Sequence, residues 1–170
     1  MKRWYKFGIF LIFVVVFGCS PHRSSVQEGA VAPTFSLLDR DGKPVSLEQY
    51  KGQTVLLHFW ATYCVPCVTE IPELEALYEK LKDQKFVVLA VSLDDNGWKA
   101  LNPFLQKHPV QFPVAWDGEW KAADLYHVYR IPESYLIDPQ GKLVEKFIGS
   151  QLWTNPSVLN KIAKVVGGQQ

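Results

Sequence analysis

Cysteine is scarce here, with three in 170 residues, and histidine nearly so, with four. A structural zinc site needs about four nitrogen or sulfur ligands. Cys64 and Cys67 supply two, and His22, His58, His108 and His127 fall in no ligand-spaced motif, so no metal centre is expected. Net charge is almost absent. The formal +1 rests on Lys2, Arg3 and Lys6, in a first stretch of eighteen residues without an acid, and the balance without that stretch is −2. A nucleic-acid partner needs a concentrated basic face, so that class is excluded. Apolar runs of about 20 residues, the length of a comfortable membrane span, are also missing. There is no internal repeat and no low-complexity block. What remains is 48% hydrophobic and 14% aromatic content, enough for one globular core.

The first residues do not read as part of that core. Lys2, Arg3 and Lys6 precede the apolar stretch from Phe7 to Phe17, the charged n-region and short h-region of an export signal over 1–18. The stretch ends in "VFGC", which resembles the lipobox of bacterial lipoproteins, in which cleavage before the cysteine leaves it as a lipid-bearing N-terminus. That resemblance makes Cys19 the lipidation site. The alternative is an uncleaved signal anchor with Cys19 as an ordinary thiol. Either reading places the domain outside the cytoplasm, in a periplasm or at a cell surface, and tethered to a membrane. Residues 19–32 read as a flexible polar tether, 33–167 as a single domain and 168–170 as a fraying tail. Cys64 and Cys67 are left as an isolated pair in a compartment where disulfides persist.

Along the domain, "TFSLLDRDGKPVSLEQYKG" predicts a short strand, a turn at Asp41-Gly42, a second strand and a helical turn. Val55 to Trp60, "VLLHFW", is apolar except at His58 and predicts a central strand covered on both faces. From Val65 to about Asp83, Val68, Ile71, Leu74, Leu77, Tyr78 and Leu81 recur at helical spacing, with Pro72 as an expected kink. "FVVLAVSL" is a second buried strand, and strand–helix–strand in this order implies parallel pairing. A helix from Trp98 to His108, a short edge segment from Val110 to Ala115, one or two helical turns from Ala122 to Val128 and a hairpin made of "SYLID" and "LVEKFIG" follow. A last amphipathic helix runs from Trp153 to Val166, with Leu159, Ile162, Ala163 and Val166 inward. The sum is an α/β fold with a mixed central sheet flanked by helices and an N-terminal β-hairpin extension.

A disulfide stabilises more the longer the loop it closes, so a staple between Cys64 and Cys67 would achieve little. Redox exchange needs a thiolate that attacks and a second thiol that resolves the mixed disulfide. Cys-X-X-Cys at a helix start offers both, because the first sulfur sits at the positive end of the helix dipole. Cys64 is therefore expected as the nucleophile and Cys67 as the resolver.

"FWATYCVPC" resembles the active site of the thioredoxin superfamily, with Pro66 between the cysteines and Pro72 in the place of the helix-kinking proline. "APTFSLLDRDGKPVSLEQYKG" is similar to the N-terminal addition of the membrane-anchored TlpA/ResA/DsbE-like thioredoxins. "YRIPESYLIDPQGKLVEKFIG" resembles their cis-proline segment and last hairpin. The resemblance implies a thioredoxin-like fold, with Pro132 as the cis-proline and the Ile131 backbone open to a substrate strand. Tyr63 stands where a tryptophan is usual and keeps an aromatic wall before Cys64, while Trp60 flanks the site. His58 occupies the place of a buried acid that handles the proton of the second cysteine. It reads either as a proton acceptor or as a hydrogen-bonded core histidine. Glu70, three residues after Cys67 on the same helix face, matches an acid near the disulfide in ResA-like relatives. It reads either as a proton shuttle for the pair or as an acid stabilised by a helix N-terminus. The other tryptophans, Trp153 included, read as core or rim.

The expected function is an exported, membrane-tethered thiol-disulfide oxidoreductase, a reductase of protein disulfides with no cofactor beyond the Cys64–Cys67 disulfide. The resemblance further implies a membrane thiol-disulfide protein as electron donor, apocytochrome c as a client and a place in cytochrome c maturation. Two other classes stand beside it. Peroxiredoxins share the opening pattern but need Pro-x-x-x-Thr-x-x-Cys. Counting back from Cys64 gives Ala61 and Leu57, and from Cys67 gives Cys64 and Trp60. A non-catalytic thioredoxin-like binding module would not require the two cysteines.

Overall fold

The computed structural model describes residues 26–168. The export signal, Cys19 and the start of the tether lie outside the described residues, as do Gln169 and Gln170 of the tail.

Thr54–Trp60 forms β3 and Phe86–Ser92 forms β4, the two longest strands, and every residue of both is buried. They pair in parallel, joined by α1 over Val65–Leu81, as their apolar runs require. β1 is Leu37–Leu38, β2 Pro44–Val45 and β5 Val114–Trp116. β6 is Glu133–Ile137 and β7 Leu143–Ile148. Among the described residues these make one mixed sheet in the order β2-β1-β5-β4-β3-β6-β7. β3 is central, parallel to β4 and antiparallel to β6.

Alternation along β3 divides the core. Leu56 and Trp60 point to one face, where Leu74 and Leu77 of α1, Leu101 of α2 (Trp98–Lys107) and Ile162 and Val165 of α4 (Pro156–Val166) pack. Val55, Leu57 and Phe59 point to the other, against Ala122 and Ala123 of α3 (Lys121–Leu125), Tyr126 and the N-terminal residues Ala32, Phe35 and Leu37. His58 lies between Leu56 and Trp60 in this alternation and so faces α1.

Three expectations change. The segment read as an edge is interior: Leu38 pairs with Trp116, so the hairpin extends the sheet beyond β5. Its residues Val110 to Pro113 are not strand. The last helix starts at Pro156, with the Asn155 side chain accepting a bond from Ser157 N–H at 3.0 Å. Within it Ile162 and Val165 face inward, spaced with Val158 by helical periodicity, Leu159 and Val166 are half-buried against the core, and Ala163 is exposed. Residues 29–32, within the stretch read as tether, are hydrogen-bonded to the start of β7: Gly29 N–H donates to Leu143 O, Leu143 N–H to Ala30 O and Ala32 N–H to Gly141 O, at 2.7–2.9 Å. From there the chain passes under Tyr126, whose hydroxyl donates to Pro33 O at 2.8 Å, and reaches β5 at Leu38. The N-terminal stretch thus straps one face of the sheet from the β7 side to the β5 side.

Candidate active site

β3 ends at Trp60, and the chain turns through Ala61–Tyr63 into α1. The turn is held from the neighbouring strand. Asp94, just past β4 and buried, accepts from Thr62 N–H at 3.0 Å, from the Thr62 hydroxyl and from Ser92 Oγ at 2.8 Å. A buried carboxylate receiving three donors is satisfied, and the loop in front of the cysteines is fixed by it.

Cys64 is the N-cap of α1, in extended conformation, and its Sγ accepts the Cys67 N–H at 3.3 Å. Pro66 falls in the first turn, where its missing N–H costs nothing. The two sulfurs are joined in a disulfide. They differ in access: Cys64 is 9% exposed and Cys67 is fully buried. On reduction, the amide of Cys67 and the free N–H groups of the first helical turn favour a thiolate at Cys64.

The Ile131–Pro132 peptide is cis. The Ile131 carbonyl oxygen lies 3.7 Å from Cys64 Sγ. Pro132 is buried, its carbonyl accepting Gly149 N–H at 2.9 Å, while Ile131 is half-buried. Ser150, just past β7, donates its hydroxyl to Pro66 O at 3.0 Å. Tyr63, 60% exposed, and the exposed Val65 and Pro66 surround Cys64 with apolar surface. Trp60 is buried behind them against Phe104.

Glu70 follows Cys67 by one helical turn and is buried. The inward stripe of α1 is Cys67, Glu70, Ile71, Leu74, Leu77 and Leu81, so an acid takes a core position. Its Oε2 accepts Gln151 N–H at 2.9 Å and Trp153 Nε1–H at 3.2 Å. Its Oε1 has no hydrogen-bond partner and faces His58 Nε2 at 3.6 Å. Loss of solvent raises the Glu70 carboxyl to about 7, and the two N–H donors offset only part of that. Glu70 also lies past the first turn of α1, so the reading as an acid held by the helix N-terminus does not apply.

His58 is buried, with Nδ1 2.8 Å from Ser134 Oγ on β6. Burial pushes its pKa down to about 3. Of its two readings, the hydrogen-bonded core histidine fits, with the second ring nitrogen turned to Glu70.

Thus Tyr63, Cys64, Pro66 and Ile131 meet at one surface, and Cys67, Pro132, His58, Trp60 and Glu70 lie beneath it. Sequence reasoning missed Asp94, Ser134, Gln151 and Trp153. Asp94 carried a signal, an acid directly after a buried strand that parallel pairing sets beside β3. Trp153 and Gln151 carried none, because only the return of the chain after β7 brings them to Glu70.

The AhpC/TSA family model matches residues 29–146. The thiol-disulfide oxidoreductase ResA of Bacillus cereus is 37% identical over 139 residues, which cover 82% of this chain and 80% of that protein. ResA of Bacillus subtilis is 34% identical over 155 residues, covering 88% and 86%. Among solved structures, one assigned as the thiol:disulfide interchange protein DsbE from Chlorobium tepidum superposes with a TM-score of 0.78 at 34% identity, over 84% of this chain and all of that one. The thioredoxin domain of a thiol-disulfide oxidoreductase from Bacteroides vulgatus gives 0.73 at 28% identity, over 84% and 99%.

Proposed function

The chain belongs to the AhpC/TSA family and is a thiol-disulfide oxidoreductase of thioredoxin-like fold, and from that premise we propose that it reduces protein disulfides outside the cytoplasm while tethered to a membrane. One observation carries the direction of attack. Cys64 is at the rim and at the start of a helix, and its partner Cys67 is sealed behind it.

In the reduced protein, the Cys64 thiolate attacks one sulfur of a substrate disulfide. A bond forms between Cys64 and that sulfur, the substrate bond breaks, and the second substrate sulfur leaves as a thiolate. Cys67 then gives its proton to the Glu70 carboxylate and attacks Cys64. The Cys64–Cys67 bond forms, the mixed disulfide breaks, and the first substrate sulfur leaves as a thiolate. Two electrons have passed from the dithiol to the substrate. Ile131 presents its backbone to an extended substrate strand beside the sulfur, Pro132 fixes that strand's distance, and Tyr63 and Pro66 supply apolar contact. Trp60 backs the loop. No cofactor is involved, and a thiol-disulfide donor in the membrane restores the dithiol.

Lys2, Arg3, Lys6 and the apolar stretch after them support export, and "VFGC" supports a lipid anchor at Cys19. Among the described residues no helix is long and apolar enough to cross a membrane. A tethered reductase of this kind fits cytochrome c maturation, with apocytochrome c as client. An insulin-reduction assay with dithiothreitol, run beside hydrogen peroxide consumption, tests the activity. Disulfide reduction without peroxide turnover is expected, since the peroxidatic motif is missing around both cysteines. Peroxide turnover alone would assign a peroxidase, and inertness in both a binding module. The equilibrium potential against glutathione tests the direction: a value near ~−270 mV is expected, and one near ~−120 mV would reverse it.

A further inference from the structure

Behind the disulfide, four side chains from four parts of the chain form a buried polar line: Ser134 on β6, His58 on β3, Glu70 on α1 and Trp153 before α4. Its middle step stands apart. Glu70 Oε2 has two N–H donors, whereas Oε1 has only His58 Nε2 in front of it, about half an ångström beyond hydrogen-bond length. Neither of those two atoms has another partner. A neutral imidazole carries one donor and one acceptor nitrogen. A serine hydroxyl can serve either, because it both donates and accepts.

We propose that His58 is a positioning residue that changes ring tautomer with the proton on Glu70, so that the carboxyl one turn beyond Cys67 has a partner both when charged and when neutral. With Glu70 ionised, Nε2–H donates to Oε1 and Nδ1 accepts the Ser134 hydroxyl. With Glu70 protonated, Oε1–H donates to Nε2 and Nδ1–H donates to Ser134 Oγ. Both arrangements need the same closing of Oε1 on Nε2 by about half an ångström, and each then pairs the two buried atoms that stand unpaired at 3.6 Å. The imidazole stays uncharged throughout, in keeping with the effect of burial on it. The proposal rests on the role given to Glu70 above as acceptor of the Cys67 proton. Cys67 lies one turn before Glu70 on the inward stripe of α1, and Glu73, one turn after it, is taken up by the Thr154 N–H and hydroxyl. From β6 and the loop before α4 come only the neutral Ser134, Gln151 and Trp153. Ala90 of β4 and Phe147 of β7, the strand partners of His58 and Ser134, do not titrate. Glu133 and Lys146 belong to the opposite face, around Tyr135. Asp94 is taken up by Thr62 and Ser92.

The experiment follows both groups in the full-length oxidised protein. Long-range proton–nitrogen NMR of His58 and carboxyl carbon NMR of Glu70 are recorded between about pH 5 and pH 9. His58 should pass from the Nδ1–H to the Nε2–H tautomer with the same midpoint as Glu70, near 7. In Glu70→Gln the tautomer should not change with pH. In His58→Leu the ionised carboxyl loses a charge-assisted donor and the neutral one only an ordinary acceptor, so the Glu70 midpoint should rise by about one pH unit. The second step of substrate reduction should then slow about five-fold near pH 7 and recover near pH 9, with the fold checked by amide spectra. A Glu70 titration with a fixed His58 tautomer, a doubly protonated His58 in this range, or an unmoved midpoint in His58→Leu would overturn the proposal alone. A Glu70 carboxyl that does not titrate would overturn the proton role of Glu70 on which it rests.

Discussion

Glu70→Gln should stabilise the oxidised protein relative to the parent, and increasingly so as pH rises. The Glu70 carboxyl, with an ordinary value of 4.5, is raised to about 7 in the folded protein because burial removes solvent from its charged form. Below pH 4.5 the group is protonated in both states and adds no difference. Between 4.5 and 7 the unfolded chain has released the proton while the folded one retains it, so rising pH favours unfolding. Above 7 both states are ionised and the full cost remains. At ~1.4 kcal/mol per pH unit this amounts to about 3 kcal/mol lost by the parent across that window. Glutamine has no such titration. His58 works in the opposite sense: its folded value of about 3 against 6.5 unfolded makes both proteins lose stability on acidification below 6.5. That contribution largely cancels in the comparison. Urea unfolding of both proteins, followed by tryptophan fluorescence at several pH values from about 4.5 to 8, measures the effect. The stability gap should widen by about 3 kcal/mol over the series. A gap constant to within about 0.5 kcal/mol, the precision of such extrapolations, would refute the buried, proton-holding Glu70.

Alkylation of the reduced protein by iodoacetamide should label Cys64 at least about ten-fold faster than Cys67, as mass spectrometry of the quenched peptides would read, because only Cys64 reaches the surface and sits at the helix start. Asp94→Ala should cost roughly 2 kcal/mol in urea unfolding, since it strips the Thr62 N–H and hydroxyl of their acceptor, and insulin reduction should fall with it. Trp153→Phe removes a donor to the charged carboxylate and should move the Glu70 midpoint upward in carboxyl carbon NMR. Lys146→Met leaves the buried Glu133 without its cation and should cost about 3 kcal/mol, read by the same unfolding assay.

The central strands, α1 and the last hairpin were legible because their signals are local: unbroken apolar runs, a helical stripe and turn residues between alternating segments. The cysteine pair was legible for the same reason, as spacing and a helix start lie in nine consecutive residues. The place of β5 was not, because a three-residue strand carries little pattern and its outer neighbour comes from the N-terminal hairpin. The start of α4 was hidden by Trp153, whose apolar ring fits a helical stripe but is drawn into the core ahead of the helix by Glu70 and Phe147. Glu70 itself shows how far residue type can mislead. It was legible as an acid on the Cys67 face of α1, but not as a buried one, because the donors that make its inward position tolerable come from a distant loop.

The N-terminal strap has a bearing on the order of assembly. It ties Val31 to Lys142 at one side and Leu38 to Trp116 at the other, so residues that leave the ribosome early have binding sites that exist only once almost the whole chain has been made. Until then Phe35 and Leu37 have no groove to enter, and the half of the core they close remains wet. Contacts between residues so far apart in the chain close slowly, and this fold cannot finish from its front end.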